Sequence, residues 1–133
     1  MKILHKTLVK KWFEMIKSGV KKEEYLEIKP YWINRLVLDA DYPTNGQKED
    51  FIDGYGQPYV VTKFKPFDIV SANNGYQKDC PNVKWVHKGI RIGTGREEWG
   101  AEPAKQYFIL EIGELILARQ PHQHRNHKQF KPI

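Results

Sequence analysis

The spacing of apolar residues changes three times before Asp39, and each change predicts a change of element. Ile3 to Val9 alternates weakly between apolar and polar side chains, the two-residue period of a strand. From Lys10 to Lys17 the period lengthens, because Trp12, Phe13 and Ile16, flanked by Met15, recur at three- and four-residue intervals and give a helix one apolar stripe. Ser18-Gly19 ends that helix, since glycine takes the left-handed conformation that closes many helices. Alternation returns from about Lys22 to Ile28, with Glu24, Leu26 and Ile28 on one side and Glu23, Tyr25 and Glu27 on the other. Glu24 therefore shares the more apolar face. A carboxylate there is costly unless a cation or several donors meet it; Lys21 is nearest in sequence, with Arg35 and Arg91 as further candidates.

Pro30 to Leu38 reads as a second helix, with proline in the first turn and Trp32 and Leu36 facing the core. Asp39 to Pro58 shows no steady period and reads as an irregular insertion. Its acids do not make an EF-hand, because the glycine required at the sixth position of a loop starting at Asp39 falls on Thr44; they read as solvated surface groups. Four strand-like runs follow, Tyr59 to Phe64, Phe67 to Ala72, Val83 to Ile92 and Gln106 to Leu117, with Asn74-Gly75 as a strong turn signal between the second and third. Two early strands, four late ones and two short helices near the N-terminus predict an α+β fold, a small mixed β-barrel and not a parallel βαβ sheet. One domain over residues 1–118 accounts for the pattern.

Composition narrows the setting. Among 133 residues there is one cysteine, Cys80 beside Pro81, so no internal disulfide forms and a reducing, cytoplasmic compartment is expected. No apolar run reaches the length of a membrane span and the N-terminus lacks a signal-peptide core, so no membrane is expected as a partner. The formal charge of +6 favours an anionic partner. Its distribution qualifies that inference: the four basic residues from Arg119 onward leave 18 basic against 16 acidic, or +2, for Met1 to Ala118. Residues 119–133 read as a mobile basic tail able to brush phosphates. His122, His124 and His127 within it match no closed zinc site, and no metal or cofactor is implied. The expected state is a monomer or weak homo-oligomer.

Gly89-Ile-Arg-Ile-Gly-Thr-Gly95 has the close glycines of a phosphate loop, but lacks a dinucleotide fingerprint's third glycine and a P-loop's Gly-Lys-Ser/Thr. A hairpin or bulge is the better reading, with Arg91 and Arg96 as possible anion contacts. The Gly19-x-Lys21-x-x-Glu24 core, between a Trp-containing helix and a β-rich remainder, resembles the ASCH domain family, whose signature is Gly-x-Lys-x-x-Glu-x-Arg. Phe67 to Tyr76, Lys88 to Gly93 and Gln106 to Ile112 are similar to the family's later barrel strands. The resemblance implies a PUA-like barrel with a cleft beside the Lys/Glu segment, suited to RNA or a modified nucleoside. Lys21, Glu24, Tyr25, Asn74, Tyr76 and Arg91 are the ligand-binding candidates, and Tyr25, Tyr76 and Trp85 are the aromatics able to stack a base. The alternative is a small hydrolase, an amidohydrolase on acylated cytidine or a ribonuclease, with Lys21 as base and Glu24 orienting it. Two departures stand out. Leu26 occupies the place of the signature arginine, and the family's deacetylating members carry threonine where this chain has Glu24.

Overall fold

The computed structural model describes residues 1–119 and has an α+β fold with two α-helices and a strand-rich remainder. The sequence positions of His122, His124 and His127, and all of the expected tail beyond Arg119, lie outside the described residues. The chain divides into two compact units assembled from alternating stretches of sequence. One holds Met1–Glu23, Phe67–Lys88 and the described residues from Glu111, and the other holds Glu24–Pro66 and Gly89–Leu110.

In the first unit β1 (Ile3–Leu8) runs parallel to β6 (Ile69–Asn74), and β6 runs antiparallel to β7 (Asn82–Thr94). The C-terminal half of β8 (Gln106–Arg119) follows β7 in hydrogen-bonded order. The two-residue period then sorts the side chains. Leu4, Leu8, Val70, Ala72, Val83 and Trp85 lie on one face and are all buried. Helix α1 (Lys10–Lys17) packs on β6 and contributes buried Phe13 and Ile16, the stripe that its spacing predicts. Strand β6 begins at Ile69 and not at Phe67, whose ring instead meets His87 edge-on with centroids 6.1 Å apart. Asn74-Gly75 does make the turn after β6, with Gly75 at φ +107°.

In the second unit β2 (Glu23–Glu27) neighbours β8, and the N-terminal half of β8 neighbours the C-terminal half of β7. Tyr107 to Leu110 are buried in succession, so this stretch of β8 is covered on both faces. Phe108 meets Phe64 in a T-shaped contact, centroids 5.9 Å apart. Helix α2 starts at Pro30 as expected but ends at Leu36, because Val37 already opens β3 (Val37–Asp41), which pairs antiparallel with β5 (Pro58–Phe64). Lys65 closes the helix end: its backbone N–H donates to the Leu36 carbonyl at 2.7 Å and its Nζ to the Asn34 carbonyl at 2.7 Å.

The expected irregular insertion is therefore partly strand. β3 ends within it, and β4 (Phe51–Ile52) adds a third strand on the other side of β5. Two of its acids, Asp50 and Asp53, serve as backbone acceptors. Asp53 Oδ1 accepts the N–H groups of Gln57 (2.9 Å) and Tyr55 (2.8 Å), which hold its carboxyl below the usual range and shape the turn into β5. Asp50 Oδ2 accepts the Val61 N–H at 2.7 Å. Among the described residues no three His, Cys, Asp or Glu side chains are grouped to hold a metal ion, and no helix is long and apolar enough to cross a membrane.

Candidate ligand site around Lys21 and Glu24

Lys21 is positioned by the end of α1. Gly19 takes φ +85°, and the chain folds back so that the Val20 and Lys21 N–H groups both donate to the Met15 carbonyl, at 3.0 and 2.9 Å. Ser18 Oγ donates to the same carbonyl at 3.1 Å. The Lys21 backbone is thus pinned to the last turn of the helix, and its Nζ lies 5.4 Å from the centre of the Trp12 ring. Lys11 Nζ stands 4.8 Å from that ring, so the indole is flanked by two cations. Only 1% of Lys21 is exposed. A buried ammonium is expensive in water-excluding surroundings, where isolated ionised groups cost several kcal/mol each.

Glu24 follows from the alternation of β2, since Glu24 and Leu26 are buried while Glu23 and Tyr25 are half-buried and Glu27 is exposed. Both Lys21 and Glu24 are engaged by polar or ring partners. Leu26, in the place of the signature arginine, is buried at 1% exposure and gives that face an apolar side chain instead of a cation. Arg35 does not turn toward it: its guanidinium stacks 3.5 Å from the Tyr31 ring centre and donates to the Tyr31 carbonyl at 3.0 Å.

Tyr25 is a packing residue as much as a candidate contact. It lies against a cluster of Ala101, Tyr107 and Ile109, with the Tyr107 ring 5.6 Å away, and its hydroxyl accepts the Arg96 N–H at 2.9 Å. Gly95 makes room for it: a Cβ there would stand 2.6 Å from the Tyr25 ring. That close approach explains Gly95, and Gly93 lies inside β7, so the glycine-spaced segment is strand and neither a hairpin nor a phosphate loop. Arg96 is likewise committed, 4.8 Å from the Trp99 ring and 3.8 Å from Glu98. Arg91 is exposed on β7 and has a partner.

The remaining candidates divide by exposure. Asn74 is half-buried at the end of β6, its N–H donating to the Pro81 carbonyl at 2.9 Å, and Tyr76 is 92% exposed in the following turn. Trp85 is excluded as a stacking residue because it is fully buried. Of the six ligand candidates, Lys21, Asn74 and Tyr76 belong to the first unit, and Glu24, Tyr25 and Arg91 to the second.

One polar group with no signal in the local sequence is His87. Its backbone N–H donates to the Asp68 carbonyl at 3.0 Å, while its buried ring Nδ1 has no hydrogen-bond partner among the described residues. Burial pushes its pKa below the ordinary histidine range. A folded-state pKa below the unfolded one means the unfolded chain binds the extra proton, so stability falls as pH drops through the unfolded histidine pKa near 6.5. Urea unfolding between about pH 8 and pH 5 should show a smaller loss for His87→Gln than for the wild-type chain; equal losses would remove His87 from the acid response.

No protein-family profile, curated protein or solved structure matches the chain.

Proposed function

We propose that the chain is a PUA-like domain of the ASCH type that binds RNA or a modified nucleoside beside the Gly19-x-Lys21-x-x-Glu24 segment. Lys21 and Glu24 are the residues assigned to read the ligand, with Tyr25, Asn74, Tyr76 and Arg91 as candidates for further contacts. The observation that carries this proposal is the burial of both motif ionisable residues, 1% exposed for Lys21 and 5% for Glu24. Folding alone gains little from internal charges, whereas binding and catalytic sites use them routinely. A desolvated ammonium also discriminates among hydrogen-bond acceptors, such as the carbonyls of a base, more strongly than a surface lysine does. Its burial favours a base or nucleoside over bulk phosphate attraction as the recognised element.

The test is titration with a short single-stranded RNA, cytidine and acetylated cytidine, comparing the wild-type chain with Lys21→Met, which keeps most of the side-chain volume. Affinity should fall about tenfold or more, the scale of a lost hydrogen bond to a charged group. Unchanged affinity in a folded Lys21→Met protein would contradict the assignment, and Glu24→Gln supplies an isosteric second variant should Lys21→Met not fold. Turnover of acetylated cytidine that disappears with Lys21→Met would identify the hydrolase alternative. Binding without turnover identifies the binding protein.

A further inference from the structure

A polar network that the motif does not use lies on the first unit, on the face of β6 and β7 opposite Val70, Ala72, Val83 and Trp85. Antiparallel register pairs Ser71 with Lys84 and Asn73 with Asn82, and parallel register places His5 beside Ser71 and Thr7 beside Asn73. Asn82 Nδ2 donates to Ser71 Oγ at 3.0 Å and to Asn73 Oδ1 at 2.7 Å, while Lys84 Nζ donates to Asn82 Oδ1 at 3.0 Å. Ser71 and Asn82 are buried, and Asn73 and Lys84 are half-buried at the edge of the network.

The chemistry of Lys84 fixes the direction of every bond in this network. An ammonium has hydrogens only, so the Asn82 atom it meets must be the carbonyl oxygen. Both Asn82 Nδ2 hydrogens then point the other way, and Ser71 and Asn73 must each receive one on an oxygen. The hydrogens left over are those of the Ser71 hydroxyl, the Asn73 amide nitrogen and two of the three on Lys84, while Ser71 Oγ, Asn73 Oδ1 and Asn82 Oδ1 each keep one accepting lone pair. Among the described residues none of these remaining donors is met by a carboxylate; the same face of β1, β6 and β7 from Ile3 to Thr7, Ile69 to Asn73 and Asn82 to Val86 carries no acid, and the acids of the next strand, β8, are Glu111, which has a partner of its own, and Glu114. His5 and Thr7 add two more groups able to donate, from the neighbouring strand.

We propose that Ser71, Asn73, Asn82 and Lys84 form a phosphate-binding site on this sheet face, with Asn82 as the positioning residue and Asn73 and Lys84 as the accessible donors. Donors supplied side by side from two paired strands suit a tetrahedral oxyanion, with three or four oxygens, better than a planar carboxylate with two. The proposal does not rest on the nucleoside assignment at Lys21.

The test uses uniformly labelled full-length protein and follows the side-chain amide signals of Asn73 and Asn82 by NMR during titration with inorganic phosphate, adenosine 5′-monophosphate and acetate. Inorganic phosphate should move both signals saturably, and the nucleotide should act at least as well. Asn73→Asp replaces the outward amide by a carboxylate of the same shape and should abolish the effect; Lys84→Gln should weaken it about tenfold or more. Lys48→Gln, at an exposed position elsewhere, should leave it intact. The site is overturned by static Asn73 and Asn82 signals up to roughly 50 mM phosphate, which would saturate any millimolar site. It is equally overturned by acetate acting as well as phosphate, by an undiminished response in folded Asn73→Asp, or by an equal loss in Lys48→Gln.

Discussion

Trp85→Ala should destabilise the chain by about 3–5 kcal/mol, the range for removing a large aromatic from a close-packed interior. Trp85 is fully buried on β7, in register with Val70 of β6, on the face shared with Ala72 and Val83. Deleting its ring removes transfer energy and leaves a cavity in a sheet face that relaxes poorly. Trp85→Phe separates packing from polarity. The indole Nε1 is buried with no hydrogen-bond partner among the described residues, so phenylalanine removes an uncompensated donor along with part of the ring. Its cost should be well below that of alanine. Urea unfolding read by circular dichroism checks both; a Trp85→Ala loss under about 1 kcal/mol would mean that the residue is not a core anchor.

Gly113→Ala should also be strongly destabilising, while Gly93→Ala should be neutral or mildly stabilising. Both glycines lie in long strands, yet their surroundings differ in kind. A Cβ on Gly113 would stand 2.5 Å from the Val86 carbonyl oxygen and 2.9 Å from Lys88 Cγ. The lysine can swing away, but the carbonyl belongs to β7 and moves only if the strand does. The penalty is that of overpacking, about 1–3 kcal/mol or more. On Gly93 the nearest atom is Ile109 Cδ1 at 3.6 Å, an ordinary contact, and alanine there trims the freedom of the unfolded chain. Thermal unfolding of the two variants side by side measures the difference, and equal midpoints would contradict it.

Where local physics decides, the sequence was legible. The limits Lys10 to Lys17 of α1 follow from an apolar stripe and a glycine stop, both local, and the burial of Glu24 and Leu26 follows from alternation alone. Failures fall where a distant partner decides. Nothing in Val37 to Asp41 or in the two residues of β4 marks a strand until β5 arrives to pair with them, so Val37 and Leu38 read as the end of a helix and the rest as irregular. The same holds for the proposed phosphate site. Ser71 and Asn73 alternate with Val70 and Ala72, and Asn82 and Lys84 with Val83 and Trp85, which is visible in hindsight. That these two polar rows face each other depends on the register set by the turn between Asn74 and Asn82. The aromatic Trp85 is ambiguous in sequence for a related reason: its face is completed by β6 and β1, strands distant in sequence.

The position of Lys21 depends on Gly19 and the Met15 carbonyl, two and six residues earlier, so the feature at the centre of the functional proposal is locally encoded. Exposed lysines cover the surface, and any basic protein attracts nucleic acid through them at low salt. The question is whether recognition uses the buried lysine. NMR of protein labelled at the lysine ε-carbon, titrated with acetylated cytidine and with a short RNA at moderate salt, answers it directly. Binding is predicted to move the Lys21 signal while that of exposed Lys48 stays in place; movement of surface lysine signals with Lys21 unchanged would contradict the account.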